Sequence, residues 1–137
     1  MSWVGFLALV LVALVIVFIL WTGLLTHDIR GRSVDPLKSI VPGLAEHKHK
    51  AVIYCYSEHC GPCRRIGPEI DRLREQHPNV LKLDVGRHPR ESRAIGIRAT
   101  PTTLLVEEGK ILKVLLGGGA VPAVQVFLAK AVMNSDD

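Results

Sequence analysis

The chain has 137 residues, 48% of them hydrophobic, and 17 Lys and Arg against 13 Asp and Glu give a net charge of +4. That length allows one small domain plus extras. The positive charge is spread along the polar part without a long basic run, which argues against a nucleic-acid partner. Three cysteines are too few for a disulfide scaffold.

The first predicted element is Trp3–Leu25, which carries no charged residue. As a helix rising about 1.5 Å per residue it is about 34 Å long, enough to cross a bilayer core of about 30 Å. A cleaved signal would show a basic start, an apolar run of about 7–15 residues and a small-x-small site, and this segment lacks all three. Residues 1–25 therefore read as a transmembrane anchor that meets the lipid bilayer through residues 3–25. Trp3 and Trp21 stand near its two ends, as interfacial aromatics do. No Lys or Arg precedes the span, whereas Arg30, Arg32 and Lys38 follow it. By the positive-inside rule this single-pass chain places its C-terminal part in the cytoplasm; the alternative is a periplasmic or extracytoplasmic domain.

Residues 26–50 read as a linker and a short helix. Residues 26–35 are polar, and Asp35-Pro36 has the form of a helix start, with Asp35 as cap and Pro36 in the first helical position. Pro42-Gly43 soon disrupts it. His47-Lys48-His49-Lys50 reads as a solvated turn, since a metal site would need further ligands.

The domain proper is expected over residues 51–137. Residues 51–56, AVIYCY, form an apolar run expected to be a buried strand, with Cys55 as a small buried hydrophobe. After Ser57-Glu58-His59 come Cys60-Gly61-Pro62-Cys63 and a helical pattern to about Gln76, with Ile66, Ile70 and Leu73 forming its apolar stripe. Pro68 falls inside that helix and predicts a kink. Residues 80–85 alternate as a second strand, and residues 90–95 form a short helical stretch before Gly96. Strands over Thr102–Glu107 and Lys110–Leu116 are joined by Glu108-Gly109 as a hairpin. An amphipathic helix over Val121–Met133 follows, and residues 134–137 should fray. The order β–α–β–(short α)–β–β–α describes an α/β domain with about four strands in a mixed sheet flanked by helices. Its first two strands are parallel through a right-handed crossover.

Two cysteines separated by two residues at the start of a helix form a redox device. The helix N-terminus carries roughly half a positive charge and free N–H groups aimed at the first sulfur, which lowers the Cys60 pKa from about 8.5 towards about 7. Pro62 sits in the first turn, where its missing N–H has no partner to lose. Two other readings stand beside this one. One is structural zinc held by Cys60, Cys63 and two histidines, which the helix-start setting does not favour. The other is a non-catalytic docking module held at the membrane.

The run Ser57-Glu58-His59-Cys60-Gly61-Pro62-Cys63-Arg64, with Pro68 after it and Ala99-Thr100-Pro101-Thr102 later, resembles the thioredoxin family. The resemblance covers roughly residues 51–128 and implies a minimal thioredoxin-like fold. It implies that Cys60 attacks protein disulfides and Cys63 resolves the mixed disulfide, with Gly61 and Pro62 keeping the junction tight. It implies a cis Pro101 beside the cysteines, and a Thr100 backbone free to pair with an extended substrate as a short β-augmentation. The redox-active disulfide Cys60–Cys63 is then the only cofactor and no metal is needed; the partners are protein disulfide or dithiol substrates and an electron donor that the sequence does not identify. Gly-Pro between the cysteines resembles the reducing members. Two positions depart from the family's pattern: His59 replaces a tryptophan, and Tyr54 replaces the buried aspartate that assists proton transfer at the second cysteine. His59, when protonated, would stabilise the Cys60 thiolate. Glu58 and Lys82 lie close enough to the motif to stand in for the missing acid.

Overall fold

The computed structural model describes residues 2–25 and 29–133. The first three residues expected in the linker, 26–28, and the tail 134–137 lie outside the described residues. Helix α1 spans Trp3–Leu25, and every residue from Trp3 to Trp21 is exposed. An apolar helix that buries nothing against protein is not a core helix. It is long and apolar enough to cross a membrane, and a signal sequence near the N-terminus meets the same test.

Strand β1 is Lys50–Tyr56, followed by α2 (Gly61–Gln76), β2 (Val80–Asp84) and α3 (Pro89–Ile95), then β3 (Thr102–Glu107), β4 (Lys110–Leu116) and α4 (Val121–Met133). The sheet order is β2-β1-β3-β4. β1 and β2 run parallel, with Cys55 opposite Leu83, and β1 and β3 run antiparallel, with Cys55 opposite Thr102. Glu108 and Gly109, both at positive φ, turn β3 back onto β4. That left-handed pair matches the twist of a tight hairpin. The expected mixed four-stranded sheet flanked by helices is therefore present, and α2 continues unbroken across Pro68.

β1 is apolar at successive positions because both faces of the sheet are covered. Ala51, Ile53 and Cys55 point into one core, with Leu83, Leu104, Ile95 and Ile97. Val52 and Tyr54 point into the other, against Ile66, Ile70 and Leu73 of α2 and Val124, Phe127 and Leu128 of α4. This second face carries the helix that begins at the cysteine pair.

The stretch before β1 is more structured than its polar composition predicts. Ile29 and Val34 are buried with Leu37, Val41 and Leu44 in the first core. Gly31 donates to the Ile111 carbonyl (2.7 Å), the Ile111 N–H to Arg32 O (2.9 Å), and Val34 to Gly109 O (3.0 Å), with an antiparallel bridge between Ser33 and Lys110. This segment thus covers the open edge of β4. Asp35 does not cap a helix: the position before the 3₁₀ turn Asp35–Leu37 is Val34, which makes no side-chain cap. The Ser33 hydroxyl accepts the Asp35 N–H (3.2 Å) and donates to its carboxylate (2.6 Å), drawing Asp35 into a local turn. The His49 ring sits 3.0 Å from the Glu108 carboxylate, so the basic turn docks on the hairpin.

Candidate active site

The parallel crossover places the end of β1 directly before the start of α2. Cys60 is the N-cap of α2 in an extended conformation (φ −89°, ψ 109°), and its Sγ accepts the Cys63 N–H at 3.2 Å. Gly61, Pro62 and Cys63 are therefore the first three helical residues, and Cys63 supplies the N–H that an N-cap side chain ordinarily satisfies. Cys60 and Cys63 are joined as a disulfide with Cα atoms 5.2 Å apart. Both sulfur-bearing residues are largely buried, at 8% and 6% exposure, whereas Gly61 and Pro62 are exposed. The exposed edge of the pair is therefore Gly61-Pro62.

Behind the pair stands Tyr54. Its hydroxyl donates to the Cys63 carbonyl at 3.2 Å, and its ring stacks on Tyr56 with centroids 5.8 Å apart. Burial, ahead of the charge of Asp71, pushes the phenol up to about 12. It is neutral at ordinary pH and no base for Cys63, so it props the first turn of α2 without supplying the proton transfer of an acid. Position 54 was identifiable from its place six residues before Cys60, but its bond to a backbone carbonyl depends on packing.

The groups expected to stand in for the acid are engaged elsewhere. Lys82 pairs with Asp71 at 3.0 Å and lies over the Tyr56 ring, and Glu58 is exposed beside Arg87 at 3.8 Å. His59 is exposed on the loop and hydrogen-bonds to neither cysteine. Cys55 lies in the opposite core with no exposure, and burial raises its thiol far above the ordinary range. Among the described residues no group of three or more His, Cys, Asp or Glu is placed to hold a metal.

The Thr100–Pro101 peptide bond is cis. Since Thr102 pairs with Cys55, these two residues enter β3 at the end of the sheet where β1 gives way to the cysteine loop. Pro101 is buried and its carbonyl accepts the Gly117 N–H at 3.0 Å. Thr100 is half-buried, and its backbone has no partner among the described residues. With Val85, Ile97, Ala99 and Arg93 it lines a hollow of about 510 Å³. A helix-capping cysteine pair and a bend residue with an unpaired backbone thus share one end of the sheet.

A family model described as Thioredoxin matches residues 40–130. The chain belongs to the thioredoxin family. It is 30% identical over 61 residues to the thioredoxin of Listeria monocytogenes, a match covering 42% of this chain and 59% of that protein. The thioredoxin of Chlorobaculum thiosulfatiphilum is 34% identical over 61 residues, covering 42% of this chain and 56% of the relative. These matches span less than two thirds of the relatives' own length. Mitochondrial thioredoxin 3 of Saccharomyces cerevisiae, solved in its oxidized form, superposes with a TM-score of 0.54 at 26% identity, covering 64% of this chain and 84% of that one.

Proposed function

We propose that this thioredoxin-family chain is a membrane-tethered thiol–disulfide oxidoreductase that reduces protein disulfides. The observation that carries the proposal is the bonded pair Cys60–Cys63 at the start of α2, with Cys60 Sγ accepting a helix N–H. That N–H and the positive end of the helix favour sulfur as thiolate once the pair is reduced.

In the reduced state Cys60 thiolate attacks one sulfur of a partner disulfide. A bond forms between Cys60 and that sulfur, the partner's S–S bond breaks, and its other sulfur leaves as thiolate. Cys63 then loses its proton and attacks Cys60 Sγ, which releases the second partner thiolate and re-forms Cys60–Cys63. The partner gains two electrons and the pair loses two, so a thiol donor must regenerate the reduced form. Thr100 lines the hollow that would take an extended partner segment, with the cis Pro101 next to it in the chain, and the free Thr100 backbone supports pairing with that segment. His59 faces solvent beside Cys60 and hydrogen-bonds to neither cysteine. Among the described residues no acidic side chain hydrogen-bonds to Cys63, so its proton leaves without the help of a neighbouring acid.

Helix α1 tethers this chemistry to a membrane, and the cations after it favour a cytoplasmic domain. The test uses the full chain in detergent or nanodiscs with insulin as disulfide substrate. Cys60→Ser should abolish reduction, and Cys63→Ser should trap a mixed disulfide visible on non-reducing gels. Reduction that persists in Cys60→Ser sinks the enzymatic reading. Partner capture that survives loss of both cysteines would favour a docking module.

A further inference from the structure

We propose that the groove between β4 and α4 is a second binding site, which seats the domain on an anionic bilayer surface. The proposal rests on α1 being a membrane anchor. The groove, of about 760 Å³, is lined by Leu112 and Val126 among Arg30, Lys50, Lys113 and Lys130. Leu112 and Val126 are 51% and 57% exposed. Glu107 is the one acidic lining residue against those four cations. Among the described residues Lys50, Lys113 and Lys130 enter no ion pair; Lys50 lies 5.5 Å from the centre of the Phe127 ring. An apolar strip set among these three lysines is the composition of an interfacial surface, with side chains at the acyl boundary and charge at the headgroups.

The local backbone favours this use. In the β3–β4 ladder Leu105 pairs with Lys113 and Val106 with Ile111, so Leu112 is the extra residue of a bulge. Successive strand residues ordinarily face opposite ways, yet Leu112 and Lys113 both line the groove. The bulge therefore aims an apolar and a basic side chain at one surface.

Chain length identifies the occupant. Arg30 lines the groove and follows the last residue of α1, Leu25, by five residues. At most about 3.6 Å per residue, the groove's rim lies within about 18 Å of the end of the span. A surface so tethered meets lipid headgroups before any freely diffusing partner. Lys50 also opens β1, whereas the cysteine loop follows Tyr56 at its other end, about 20 Å away at about 3.3 Å per residue. A domain seated this way keeps Cys60 clear of the membrane.

The experiment places one copy of the full chain in each nanodisc, made of phosphatidylcholine alone or with added phosphatidylglycerol. An amine-reactive reagent then reads the accessibility of Lys50, Lys113 and Lys130 against Lys38 and Lys48, which line a different hollow. Seating predicts that labelling of the first three falls roughly threefold or more in the anionic discs and recovers at high salt, because exposed charge attraction is screened. Leu112→Glu with Val126→Glu, two exposed positions, should remove the protection while Lys38 and Lys48 label as before. Equal labelling in both discs, or protection indifferent to lipid charge, overturns the lipid assignment while leaving the anchor standing. A chain that does not enter the discs overturns the anchor and this site together, whatever its insulin reductase activity.

Discussion

The two faces of the sheet meet along β1, and adjacent residues of that strand show how differently the faces are used. Cys55 points into the core closed by residues 29–44, where it has no solvent exposure. Tyr54 points into the core built by α2 and α4, and its hydroxyl reaches the first turn that carries Cys63. One face holds a thiol and silences it. The other orients a helix whose N-terminus meets two cysteines behind an exposed Gly-Pro edge. Placement at a helix start, not residue type, separates the inert sulfur from the reactive pair.

Alkylation of the reduced protein would break that contrast most sharply. A thiol with a pKa near 7 is about half thiolate at pH 7, and an ordinary one near 8.5 only about 3%. Cys55 is held above the ordinary range and has no exposure. Iodoacetamide should therefore modify Cys60 at least about a hundredfold faster than Cys55, a ratio that collapses in denaturant. Mass spectrometry of timed digests measures it. Comparable rates in the native chain would mean that the two faces do not differ as described.

The first face can be tested without touching the dithiol. Gly96 ends α3 at φ +94°, and a Cβ there would collide with Ile29 Cγ2. Gly96→Ala combines an unfavourable backbone region with overpacking and should cost about 2–3 kcal/mol, seen as a lower denaturation midpoint. The alkylation rate of Cys60 should stay within about twofold in the folded variant, since the second face is left intact. A stability loss below about 0.5 kcal/mol would show that the segment before β1 yields freely and contributes little to this core.

Strong periodicity made much of the fold legible. The bounds expected for α2, β3, β4 and α4 agree with those observed, because each combines a clear apolar pattern with punctuation by Gly or Pro. The cysteine pair was readable from its spacing and from the strand-to-helix junction. What escaped the sequence depends on contacts distant along the chain. Ile29 and Val34 sit alone among polar residues, and only the bonding of Gly31, Arg32 and Val34 to the hairpin explains why their segment packs into the core. Asp35 looked like a cap until Ser33 claimed it. Glu58 and Lys82 looked available by proximity, and their partners Arg87 and Asp71 lie on other elements.

The smallest effect concerns Tyr54 and requires the second face to behave as packed. Its hydroxyl makes one buried hydrogen bond, so Tyr54→Phe should cost about 1 kcal/mol at pH 7. The phenol's ordinary value is 10.0, and burial pushes it up to about 12. Below pH 10 both folded and unfolded chains hold the proton, and the tyrosine's contribution is whole. As pH rises from about 10 to about 12 the unfolded chain ionises first, so the folded state binds more protons and stability falls, by on the order of 2 kcal/mol for this group. Phenylalanine has no proton to lose. The wild-type advantage over Tyr54→Phe should therefore shrink through this window and reverse near about pH 11, a crossing that paired denaturation curves would detect. A gap that stays constant to about pH 12 would show that the phenol ionises alike in both states and that water reaches the back of Cys63.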